Sequence, residues 1–212
     1  GSCNYVNGVG VSVKGGTLTM KGGSITECKA ENSLGGAAYV GGTDASEYGT
    51  FILDGGSIGI ENSDTYYRNE AMYGAGIYVA PWGKATLNGG FMMCNASSVE
   101  GGAVYVSNNG QAMLNGTVVG SESVDYGNTA GRGAGVFVQA GELGFQGSLA
   151  MTGGVIQGNT AAEFGGGIYL QGGTFSFSGG MISGNTAEAH GGGVWLDAGT
   201  GSGTKNPAKI DF

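Results

Sequence analysis

The feature that most constrains this chain is a six-residue segment present in seven copies. Its clearest forms are Gly165-Gly166-Gly167-Ile168-Tyr169-Leu170 and Gly191-Gly192-Gly193-Val194-Trp195-Leu196. Further copies begin at Gly35, Gly74, Gly101 and Gly133, with a degenerate one at Gly8. Successive starts lie 26 to 39 residues apart, so the minimal unit is short and the longer ones carry inserted loops. A period of this length marks a stacked architecture, in which no single unit can bury its own apolar face.

Each unit holds two more short apolar runs. Leu18 and Met20, Phe51 and Leu53, and Phe175 and Phe177 alternate in the first. The second follows a glycine pair, as in Ser24-Ile25, Ser57-Ile58, Val155-Ile156 and Met181-Ile182. Runs this short, rich in β-branched and aromatic residues and bounded by glycine, are strands rather than helices. Alternation then sends Ile77 and Val79, Val104 and Val106, and their counterparts inward. About five or six inward apolar side chains per unit, at ~1.5–3 kcal/mol each, offset the chain entropy of a narrow coil. The expected fold is all-β: a right-handed parallel β-helix of about seven coils with three short parallel sheets. Residues 1–212 form one domain on this reading, a fragment of a larger protein.

Composition agrees and excludes alternatives. Glycine fills 49 of 212 positions with only two prolines and no Gly-X-Y period, so collagen is ruled out. Charged residues are 11% while hydrophobics hold 40%, the reverse of a disordered chain. Net charge is −8 with only Arg68 and Arg132 as arginines, so nucleic acid lacks the basic patch it needs. No long apolar run is present, and membrane insertion is not expected.

The repeats Gly154-Val155-Ile156-Gln157-Gly158-Asn159-Thr160-Ala161 and Gly180-Met181-Ile182-Ser183-Gly184-Asn185-Thr186-Ala187, each leading to an anchor, carry a resemblance. They resemble right-handed β-helix repeats of adhesin-like bacterial surface proteins and, distantly, of chlamydial polymorphic outer-membrane proteins. Ile156 and Ile182 stand where the chlamydial tetrapeptide has Phe. The resemblance implies an extracellular, cell-surface location and a scaffolding or adhesive role. The implied partner is a glycan or protein on a host or neighbouring cell.

Catalytic signals are thin. Sixteen acids are scattered, with Glu100, Glu163 and Glu188 near the anchors as an edge that is either solvated or a weak cation site. His190 is the single histidine and reads as a corner residue. Three cysteines and one histidine at these spacings make no zinc site, and the glycines lack the context of a phosphate loop. No enzyme activity and no cofactor are expected. Asn159 and Asn185 occupy equivalent corners suited to side-chain ladders, with Asn128 assigned to an inserted loop. Asn95-Ala96-Ser97 and Asn115-Gly116-Thr117 match the glycosylation pattern. The outward second-strand pairs, from Thr17 and Thr19 to Thr174 and Ser176, are too irregular for an ice-binding face.

The outward position of the anchor is more informative. Tyr39, Tyr78, Tyr105, Phe137, Tyr169 and Trp195 place an aromatic at six successive coils, after Ser12 in the first. At ~4.7–4.9 Å per strand the stripe runs about 24 Å. Two readings stand: a platform for sugar rings, with these six as ligand-binding residues, or a ladder that ties coil to coil. Two further expectations concern cysteines and ends. Cys3 and Cys28 are about one coil apart and form the expected disulfide if any exists, with Cys94 a buried free thiol. Ile210 and Phe212 fall under Phe175 and Phe177, and the unpaired terminal edge favours end-to-end self-association.

Overall fold

The computed structural model describes residues 6–29, 31–60, 67–141, 145–198 and 208–212. Among them the strands pair in parallel and gather into three sheets, two of seven strands and one of eleven. The chain is a parallel β-helix. Two consecutive turns show its path. Thr129–Arg132 lies in the first sheet, Val136–Val138 in the second and Ser148–Gln157 in the third. Thr160–Phe164, Ile168–Gln171 and Thr174–Ser183 then repeat the circuit one rung on.

The number of sheets agrees with the sequence reading, but their composition does not. The two runs flanking each glycine pair belong to one sheet. Ser148–Gln157 and Thr174–Ser183 pass through Gly153-Gly154 and Gly179-Gly180 as single bent strands, with pairing resumed at Val155 opposite Met181. The remaining sheet is built by segments just after the asparagine corner, such as Asn95–Glu100 and Thr160–Phe164. Small and charged residues there hide the apolar alternation that marks a half-buried strand.

Inside the coil the expected columns hold. Ile77, Val104, Val136, Ile168 and Val194 stack in register, as do Val79, Val106, Val138, Leu170 and Leu196. All but the last coil's pair are buried. Leu196 is 46% exposed because Val194–Asp197 is the outermost described rung of its sheet. Ile210 pairs with Phe175 as expected, and the Phe212 ring meets Phe177 edge-on at 6.1 Å.

The anchor glycines have two separate causes. Gly165 sits at φ +65°, a backbone that disfavours any side chain. Gly135 has an ordinary φ, but a Cβ there would lie 2.4 Å from the Gly167 carbonyl of the next coil. Close backbone stacking, with Gly135 N–H donating to Gly166 O at 3.0 Å, demands the absence of a side chain.

Cys94 is buried, with its Sγ 3.5 Å from the Tyr126 carbonyl, and Cys28 is half-buried. The Cys3 half of the expected bridge lies outside the described residues. No helix among the described residues is long and apolar enough to cross a membrane.

Candidate functional site

The outward anchor column was the candidate site, and parallel pairing does bring its residues into line. Tyr39, Tyr78, Tyr105, Phe137, Tyr169 and Trp195 occupy one register position on adjacent strands. Five of the rings form a continuous stack. Centroids are 5.8, 4.8, 5.0 and 5.0 Å apart from Tyr39 to Tyr169, and successive planes lie within 11°. Trp195 instead turns its ring onto Phe164 at 5.1 Å and His190 at 5.5 Å.

The stack is covered. Tyr105, Phe137 and Tyr169 are only 4, 0 and 2% exposed, while Tyr39, Tyr78 and Trp195 are half-buried. The cover is a second column, the residues immediately before each anchor: Tyr73, Glu100, Arg132, Phe164 and His190 in register. Tyr73 meets Tyr105 edge-on at 5.5 Å, and the Arg132 guanidinium lies 5.5 Å from the Tyr169 ring centre. Its members share a position before the anchor glycines but no residue type, so the sequence singles out only Glu100 as an edge residue and His190 as a corner residue.

Charge in the cover is arranged around Arg132. It forms an ion pair with the buried Glu100 and reaches Glu163, Nε to Oε2, at 3.8 Å. Burial pushes the Glu100 carboxyl above the usual carboxylate range, Arg132 draws it partly back, and Glu163 raises it again. Tyr169 donates its hydroxyl to Asp197 at 2.6 Å, and burial first, then that bond, pushes its phenol up to about 12. Burial likewise raises Tyr39, Tyr78 and Tyr105, so these phenols stay neutral across the physiological range.

Chemically this is an internal seam. Aromatic rings bind sugars through their faces. Here the faces of the central rings are occupied by one another, and their edges lie under the covering column. Glu163 and Glu188 are exposed, and the described residues hold no group of three or more His, Cys, Asp and Glu placed to share a metal ion.

A third column occupies the corner before the first sheet. Asn69, Asn95, Asn128, Asn159 and Asn185 form an unbroken ladder, each Nδ2 donating to the next Oδ1 at 2.8–2.9 Å. Every Nδ2 also caps a backbone carbonyl, such as Met92 for Asn128 and Val119 for Asn159. Asn128 is therefore a ladder rung, not a loop residue. Asn95, one of the two glycosylation matches, is fully buried within the ladder, which removes it from any modifying enzyme. Comparison with family models, with curated proteins and with solved structures finds no match to this chain.

Proposed function

We propose that this chain is a non-catalytic scaffold module of an extracellular surface protein, a rigid rod that holds other parts at a distance. One observation carries this reading: the side chains that recur from unit to unit are engaged with the next unit. The asparagines bond along the axis, the aromatics stack along the axis, and the aliphatics fill the core. Recurring groups used in this way maintain a stiff column rather than converge on a reacting centre.

Adhesion to a neighbouring cell is part of the same proposal, with the module serving as part of the presenting stalk. The aromatic stripe as a sugar platform loses its support, since its central rings are buried under Tyr73, Arg132 and Phe164. Antibodies raised against the folded domain test the location and the role together. They are expected to label intact producing cells and to reduce attachment of those cells to surfaces. Labelling only after permeabilisation overturns the proposal.

A further inference from the structure

The rungs of this rod are not equal. In both seven-stranded sheets and the first arm of the long one, the first and last strands have a neighbour on one side only among the described residues. The first strands are Val6–Asn7, Val11–Lys14 and Gly16–Met20. The last are Thr186–Ala187, Val194–Asp197 and Lys209–Asp211. Core columns that are buried along the rod surface at these rungs. Val11 and Leu18 are half-buried on one face, Val194 and Ile210 on the other, and Leu196 is 46% exposed. Apolar side chains beside unpaired strand edges make each face a template for another chain.

Four observations match the two faces to each other. First, register: the parallel columns put Val194 in line with Val11, Leu196 with Val13 and Ile210 with Leu18. Second, charge: Lys14 and Asp197 each directly follow the second core residue of their strand and so share one column. Lys14 has no carboxylate partner among the described residues, and its Nζ, 5.8 Å from the Tyr39 ring centre, keeps its charge. Third, bulk: Trp195 falls in line with Ser12, the exposed member of the aromatic column that carries no ring. Fourth, backbone approach: a Cβ at Gly167 would lie 2.5 Å from the Gly193 carbonyl, so stacking forbids one there. At Gly193 itself a Cβ would meet only Ile182, at 3.8 Å. Contacts among the described residues do not require glycine at that position, whereas a further coil laid on it does.

We infer that copies of this chain stack head to tail, the last rung of one on the first rung of the next, with Lys14 of one copy facing Asp197 of the other. Both seven-stranded sheets and the first arm of the long sheet then continue across the junction in parallel register. The second arm, whose last strand ends at Ser183, is one rung shorter and stays open there. The two faces are different surfaces, so the contact is heterologous and does not close: it builds rods longer than a dimer. A two-fold pairing of like faces loses the match of Lys14 with Asp197 and of Trp195 with Ser12. The inference goes beyond the scaffold reading and does not depend on it, since the matched faces belong to the coil whatever the rod carries.

The test is sedimentation velocity on the folded chain over a range of concentrations, with a thermal melt for each variant. Species that grow past the dimer are expected by about millimolar concentration. Lys14→Glu and Asp197→Lys are each expected to weaken association about tenfold. An equimolar mixture of the two is expected to restore it, because each variant supplies the charge that the other's altered face needs. Leu196→Lys, which puts a charge into the junction, is expected to abolish association while leaving the melt in place. Asp197→Lys also gives up the bond from the Tyr169 hydroxyl, so Lys14→Glu and Leu196→Lys decide the matter should it not fold. The inference is overturned by three results: the chain stays monomeric throughout, growth stops at the dimer, or association is unchanged in the folded Lys14→Glu and Leu196→Lys variants.

Discussion

Two axial columns join the coils of this molecule, and they do so by opposite physics. The asparagine ladder is directional. Each rung accepts from the rung before it, donates to the rung after it and caps a carbonyl, so one residue type alone fits. The aromatic stack is tolerant. Phe137 sits among tyrosines at the same 5.0 Å spacing, and Ser12 takes the position in the first coil. Directional bonding inside a dry corner fixes register, while stacked rings add contact area that survives substitution.

The sharpest way to break this comparison is Asn128→Leu. The change keeps the branching and the number of side-chain heavy atoms but leaves the Asn95 N–H and the Met92 carbonyl without their partner inside the coil. Two orphaned groups at ~1–3 kcal/mol each predict a loss of about 4 kcal/mol, on the order of 10 °C in Tm. A circular dichroism melt that moves by less than a quarter of this would show that the corner tolerates apolar filling.

Phe137→Leu is the matched change in the stack and should cost less. Leucine keeps most of the apolar burial but gives up ring contacts with Tyr105 and Tyr169. At ~0.5–1.5 kcal/mol per pair, the expected loss over the two pairs is about 1–3 kcal/mol. Equal losses in the two variants would remove the distinction between a directional ladder and a tolerant stack.

The two columns also differ in how visible they are in the sequence. The aromatic positions sit inside a contiguous anchor at a constant offset from its glycines, so the whole column could be read directly. What could not be read was its cover. Tyr73, Glu100, Arg132, Phe164 and His190 share a position but no chemistry, and a column without a common residue type leaves no pattern. The ladder was legible only at Asn159 and Asn185, which each follow a glycine and lie six residues before their anchors. Asn95 shares that offset but follows Cys94, while Asn69 and Asn128 lie five residues before theirs.

The smallest expected effect tests what holds the cover over the stack. Glu100 is buried, and its carboxyl is raised by desolvation more than Arg132 lowers it. A raised carboxyl in the folded state means that folding favours the protonated form. The corresponding stability is full below the unfolded value of ~4.3 and is lost as pH rises through the folded one. Glu100→Gln mimics the protonated form at every pH. Arg132 is not stranded by the change, since it remains partly exposed and still faces Glu163 at 3.8 Å. The variant is therefore expected to match the parent near pH ~4 and to melt slightly higher near pH ~8. A variant that melts lower at the higher pH would mean that the ion pair with Arg132 outweighs burial. The cover would then be held down by charge, and the stack beneath it would share the directional character of the ladder.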